Sequence, residues 1–180
     1  MELTNTITLP VTQAQAWAAL NDMGLLQQAV PGCESLTAVG ELEYEALVVA
    51  AVGPVKAKFK GRLRLSELNP PHSYRLQFEG QGGQAGHGKG SAQVRLQAQG
   101  ERETLLSYTA SASVGGKLAQ VGSRLVDMAA QKMAGEFFER FTEALRQRHP
   151  AAAAPPPPPP VGWWVRLVAW LRHRLGRRAS

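Results

Sequence analysis

The chain has 180 residues, with 20 Lys and Arg against 14 Asp and Glu for a formal charge of +6, and one cysteine, Cys33. A single cysteine excludes an intrachain disulfide, and His72, His87, His149 and His173 have no partners at metal-ligand spacing. The charge is unevenly spread: five arginines fall in residues 161–180 with no acid beside them, so residues 1–160 hold 15 basic against 14 acidic residues, or +1.

Residues 2–9 alternate, with Leu3, Asn5, Ile7 and Leu9 on one side, and predict a strand. Pro10-Val11-Thr12 leads into a helix that Thr12 caps and that buries Ala16, Trp17 and Leu20. A short second helix over Gly24–Val30 ends at Pro31-Gly32. From Glu41 to Ala50 the period is two, with Leu42, Tyr44, Ala46 and Val48 apolar. After Gly53-Pro54 the parity reverses: Val55, Ala57, Phe59, Leu63 and Leu65 alternate with Lys56, Lys58, Lys60, Arg62 and Arg64. A two-residue connection puts Val52 opposite Val55, Glu45 opposite Arg62 and Glu43 opposite Arg64. Such cross-strand pairs contribute roughly 0.2–1 kcal/mol each. A slip of one residue would turn the lysines into the core, so the register is firmly specified. Lys56, Lys58 and Lys60 are then left free beside exposed Leu47 and Val49. The outer strand face is either plainly solvated or a docking patch for an acidic partner.

Strands follow at Ser73–Gly80, Ser91–Gln99 and Thr104–Val114. Between the first two lies the glycine-rich segment 82–90, which lacks the strand-loop-helix context of a phosphate loop and predicts a bulge or a sharply bent strand. A long helix over Lys117–Arg148 carries Val121, Leu125, Ala129, Met133, Phe137, Phe141 and Leu145 at spacing four, with Leu118, Met128 and Phe138 widening the stripe. A stripe that drifts this way needs a broad surface to lie on. The expected fold is α+β: a curved antiparallel sheet wrapped around the long helix, with an apolar cavity between them. Tyr44, Phe59, Leu63, Phe78, Tyr108, Met133, Phe137 and Phe141 are its expected lining, and the hydroxyls of Tyr44, Tyr74 and Tyr108 are the groups able to orient a ligand oxygen. The remaining inward residues, Leu65, Leu76, Val94 and Leu96, are apolar, and no residue set predicts catalysis.

Domain 1–149 is followed by an Ala/Pro-rich linker at 150–162 and an amphipathic segment at 163–178. The six prolines 155–160 predict a polyproline rod ~19 Å long, at about 3.1 Å per residue. In helical projection Trp163, Trp164, Leu167, Val168, Trp170, Leu171 and Leu175 share a face, opposite Arg166, Arg172, His173 and Arg177, while Arg174 interrupts the apolar arc. The apolar run is shorter than the roughly 20 residues that span a bilayer, so an in-plane interfacial helix on anionic lipid is expected. A helix docking on a partner protein or on its own domain is the alternative. Three tryptophans on the apolar face speak against nucleic acid. The amino end shows no signal-peptide pattern, which predicts a cytoplasmic protein, peripheral on the inner face of the membrane.

Pro31-Gly32-Cys33-Glu34-Ser35-Leu36, then Gly53-Pro54-Val55-Lys56 with Phe59-Lys60-Gly61, then Gly115 to Leu125 resemble the carbon monoxide dehydrogenase CoxG family in order and spacing, over residues 1 to about 147. That family belongs to the START-like, helix-grip (SRPBCC) superfamily of hydrophobic-ligand binders. The resemblance implies a non-catalytic accessory that recruits a molybdenum-hydroxylase oxidoreductase, such as carbon monoxide dehydrogenase, to the cytoplasmic membrane and helps its electrons reach the respiratory chain. It brings no catalytic role for Cys33 and no covalent cofactor. A soluble enzyme reducing a membrane acceptor needs proximity or a carrier, which makes a quinone the candidate ligand of the cavity. A START-like cyclase or hydrolase acting on an apolar substrate, and a tether with a filled core, are the alternatives.

Overall fold

The structure, a computed structural model, describes residues 1–151. The linker and the amphipathic segment 163–178, with every membrane-facing residue named above, lie outside the described residues. Met1–His149 form one compact unit. Its elements are β1 (Glu2–Leu9), α1 (Gln13–Leu20), α2 (Met23–Ala29), β2 (Cys33–Ala38), β3 (Glu43–Val52), β4 (Val55–Asn69), β5 (Ser73–Gln81), β6 (His87–Gly100), β7 (Glu103–Gly115), α3 (Lys117–Gln120) and α4 (Ser123–Arg148). Seven strands make one antiparallel sheet in the order β1-β7-β6-β5-β4-β3-β2, and α4 lies across its inner face.

Local chemistry starts each element. The Thr12 hydroxyl accepts from the Gln15 amide at 3.2 Å while the Gln15 side chain accepts from the Thr12 amide at 3.0 Å, a reciprocal cap for α1. Asp22 caps α2 by accepting from Leu25 N at 2.9 Å. Between β3 and β4, Gly53 at φ 55 followed by Pro54 fits the II′ pattern, whose twist suits a hairpin. The register is the one the alternation predicts: Val52 faces Val55, Glu45 faces Arg62 and Glu43 faces Arg64. Arg64 Nη2 lies 2.9 Å from Glu43 Oε1, and Arg62 Nη2 lies 3.3 Å from Glu45 Oε1.

Three elements differ from expectation. Cys33–Ala38 is a strand that the alternation did not reveal, because it is a six-residue edge with a register shift between Cys33 and Ser35. The long helix is two: α3 ends at Gln120, and Gly122 takes a φ of 94 that a side chain would resist, before α4 begins at Ser123. The glycine-rich segment is a short helical turn at Gly83–Ala85, after which β6 starts at His87, four residues earlier than expected.

The packed core lies at one end of the sheet. Leu9, Val11, Leu25, Leu106, Phe141 and Leu145 are fully buried there, and Ile7, Trp17, Phe137 and Phe138 close around them. The Thr104 hydroxyl, also fully buried, donates to Val11 O at 2.8 Å and so meets the pairing that burial demands. Two histidines serve this end structurally. His72 Nδ1 lies 3.0 Å from Gln13 Nε2, and His149 Nδ1 lies 3.1 Å from Gln15 Nε2.

Candidate ligand cavity

Between the sheet and α4 the core gives way to a cavity of about 620 Å³, within the size range of small-molecule sites. One cause is a set of small residues in register, facing Ala129, Ala130 and Ala134 on α4. Ala46 on β3 pairs with Gly61 on β4, Gly61 with Gly80 on β5, and Gly80 with Gly88 on β6. All four belong to the inward set, so four adjacent strands present almost bare backbone in one row across the sheet. Below it, Gly90 pairs with Ala112, and Ala92 with Ala110. A Cβ placed on Gly80 would meet no atom within 4 Å, so the space above that strand is empty. By contrast, a Cβ on Gly82 would strike the Phe59 ring and one on Gly90 the Phe78 ring. Those glycines let the two aromatic side chains lie down against the sheet and flank the bare row.

Tyr44, Phe59, Leu63, Phe78, Tyr108, Met133 and Phe137 all lie on the wall. Phe141 does not: fully buried, it packs in the filled core, stacked on Phe137 with ring centroids 5.6 Å apart. The spacing of four made Phe137 and Phe141 look equivalent, but one turn of helix carries the second past the end of the void. Sequence reasoning missed the glycine row itself, and also the contribution of α2 and β2, where Met23, Leu26, Val30, Cys33 and Leu36 complete the wall. The Gly residues at 80, 82, 83, 86, 88 and 90 were the available signal.

The wall is almost entirely apolar. Its charged members, Glu79 and Lys89, face each other across β5 and β6 on the solvent side and are exposed. The Cys33 thiol donates to Ser35 O at 3.3 Å, and burial pushes its pKa up, away from the reactive thiolate. Burial also raises the pKa of Tyr108, opposed by a hydrogen bond with the Asn5 side chain, and its ring stacks on Phe138 at 5.2 Å. Tyr74 is the deepest of the three tyrosines, 8% exposed, and burial alone pushes its phenol well above the usual range. Its ring meets Trp17 edge-on at 5.7 Å. Among the described residues, no group of three or more His, Cys, Asp or Glu is placed to hold a metal ion.

The basic face outside the hairpin differs from expectation. Lys58 Nζ sits 2.7 Å from Glu34 Oε2 on β2, and Lys60 Nζ is 3.8 Å from Glu45 Oε2, so neither is free. Lys56 is exposed, with no ion pair among the described residues. Leu47 and Val49 are half-buried rather than exposed, because β2 pairs alongside β3, with Ser35 opposite Leu47.

Residues 6–146 match the family model for CoxG of carbon monoxide dehydrogenase. No curated protein matches the chain. Among solved structures, a conserved protein from Geobacillus kaustophilus is 30% identical, with a TM-score of 0.78 over 83% of this chain and 97% of its own. A START superfamily protein from Mycobacterium smegmatis is 12% identical, with a TM-score of 0.64 over 82% of this chain and 98% of its own. An aromatase/cyclase from Streptomyces is likewise 12% identical, with a TM-score of 0.62 over 86% and 99%. The last two likenesses establish the START-like helix-grip fold.

Proposed function

The chain belongs to the carbon monoxide dehydrogenase CoxG family, and on that basis we propose that it is a non-catalytic accessory which carries a lipophile for a membrane-associated oxidoreductase. The observation that carries this reading is the apolar cavity of about 620 Å³. A wall of this kind favours binding by burial, worth roughly 25 cal/mol per Å² of apolar surface. It does not supply the paired acid and base of a hydrolase or cyclase. In this reading the client is a molybdenum-hydroxylase oxidoreductase related to carbon monoxide dehydrogenase, and the lipophile is a membrane quinone that accepts its electrons. No covalent cofactor takes part. Trp163, Trp164, Leu167, Trp170 and Leu171, with Arg166, Arg172 and Arg174, hold the protein to anionic lipid on the inner face of the cell membrane. The client docks at the hairpin tip through Lys56, with the partly committed Lys58 and Lys60 beside it. No helix among the described residues is long and apolar enough to cross a membrane.

Native mass spectrometry and lipid extraction of the full chain from its host test the carrier role. A quinone in the extract together with an oxidoreductase in the complex is the expected result; an oxidoreductase with an empty accessory would leave a tether only. Liposome co-sedimentation tests the anchor. A chain truncated after residue 160 should stay in the supernatant with anionic vesicles that pellet the full chain, and equal pelleting would rule the anchor out.

A further inference from the structure

The polar resources of the cavity are unequal. Tyr108 is engaged by Asn5, and Tyr44 is half-buried, so water can serve its hydroxyl. Tyr74 stands apart: it is more than nine-tenths buried and on the wall. Its hydrogen bond with a side chain runs through the backbone, where Gln93 Nε2 donates to the Tyr74 carbonyl at 3.3 Å, and among the described residues nothing pairs with the phenol hydroxyl. No sealed side-chain oxygen or nitrogen among the described residues lacks a partner, so that hydroxyl opens onto the cavity that Tyr74 lines. A donor reached only through an apolar chamber is poorly hydrated, and a ligand oxygen that meets it recovers the missing hydrogen bond.

Position along β5 adds a second constraint. Tyr74 and Gly80 are six residues apart on the same inner face, so about 20 Å of strand separates them at ~3.3 Å per residue. Tyr74 belongs to the packed core at one end, beside Leu96, Leu106 and Phe141. Gly80 marks the bare end, where α4 leaves Leu125 40% and Met128 57% exposed. A ligand reaching Tyr74 therefore passes the glycine row and the Phe59 and Phe78 rings, and its trailing part stays over the bare floor. Among the described residues the lining offers no inward cation for an anionic group. Glu79 and Lys89 are exposed and stand opposite each other across β5 and β6.

We infer that Tyr74 reads the polar end of the ligand: the cavity takes a neutral, elongated lipophile that enters with an acceptor oxygen, a carbonyl, foremost and seats it on the Tyr74 hydroxyl. The inference rests on the cavity being a ligand site. Because burial keeps the phenol protonated, it acts as donor over the whole physiological range. Carboxylate lipophiles are disfavoured by the same wall, since a charge carried there without a partner loses its hydration.

Fluorescence titration of the full chain with three naphthalene probes tests this. They are 2-acetylnaphthalene, its carbonyl-free isostere 2-isopropenylnaphthalene, and 2-naphthoate. The parent should bind the ketone about tenfold more tightly than the alkene, the usual scale for meeting one buried donor, and the naphthoate most weakly. Tyr74→Phe removes the hydroxyl and keeps the ring; it should weaken the ketone about tenfold and leave the alkene within about twofold. Tyr44→Phe should keep the parent's preference, and matching thermal melts confirm that each variant is folded. A ketone preference that survives in Tyr74→Phe, or a parent with no preference, overturns the role of Tyr74 while leaving the cavity a ligand site. Failure of the parent to bind either neutral probe overturns the ligand-site reading itself, and this inference with it.

Discussion

The two halves of α4 cover the same sheet with different results. Towards its carboxyl end, Phe141 and Leu145 are fully buried against Leu9, Leu25 and Leu106. Towards its amino end, Met133 and Ala129 face a void, and Leu125 and Met128 are partly exposed. The helix is apolar in both halves but smaller over the void, where Ala129, Ala130 and Ala134 lie on the wall, so it contributes part of the difference. The sheet contributes the rest: Leu96, Leu106 and Tyr74 stand under the first half, and Gly61, Gly80 and Gly88 under the second. The cavity is thus produced by omitting side chains from the strands and by shortening those on the helix above them.

Truncating one ring in each half tests this contrast most directly. Phe141→Ala should destabilise by about 3–5 kcal/mol, the range for an aromatic deleted from a filled core. Phe137→Ala should cost about half as much, because one side of its ring borders empty space and has fewer contacts to lose. Urea midpoints compare the two, and equal costs would mean that the void is filled in solution.

Gly80→Leu approaches the same contrast from the sheet. The new side chain enters open space, so the fold should hold within about 1 kcal/mol of the parent, helped by a better strand former. Binding of 2-isopropenylnaphthalene should weaken by about tenfold or more as the volume available to it shrinks. Unchanged affinity would place the bound probe elsewhere. At the filled end, Thr104→Val should cost about 1–3 kcal/mol, since it strips the Val11 carbonyl of its buried donor, and should leave probe binding unaltered.

The smallest effect is expected at the surface clasp that joins α2 to the end of α4. Arg148 Nη1 donates to Asp22 Oδ2 at 2.6 Å, and this bond, followed by the cap to Leu25, holds the Asp22 carboxyl below its usual range. A carboxylate with a depressed folded pKa stabilises the protein above its ordinary pKa, and that contribution fades as pH falls through the lowered value. Asp22→Asn should therefore be slightly less stable than the parent at pH 7. The gap should close as the pH is taken well below about 4, the ordinary carboxylate value, and high salt should narrow it at pH 7, because both partners are partly exposed. A gap that persists in acid would assign the effect to the helix cap alone.

Much of the fold was legible in residue order. Alternation located six of the seven strands, and the Gly53-Pro54 connection set the β3–β4 register to the residue. The missing strand had a wider consequence. Because Cys33–Ala38 is short and irregular, its Glu34 was not placed beside Lys58, and the three lysines looked free when two of them were engaged. The site was legible in its large residues and illegible in its absent ones. Tyr44, Phe59, Leu63 and Phe78 announce themselves by parity and Phe137 by its spacing of four on the helix, whereas a glycine announces only permissiveness.

Residue order alone was enough for the period of each element, the capped start of α1, the paired charges across one hairpin and the apolar stripe of α4. These depend on neighbours within a few residues, or on one tight turn that fixes what lies opposite. The single row of Ala46, Gly61, Gly80 and Gly88 came instead from the assembled sheet. That alignment needs three strand registers to agree at once, and two of the connections between those strands are loops whose geometry the residue order does not dictate. The same holds for Tyr74. Its burial is written in its parity, but the freedom of its hydroxyl depends on what α1, α4 and β6 bring within reach, which is a property of the assembled core.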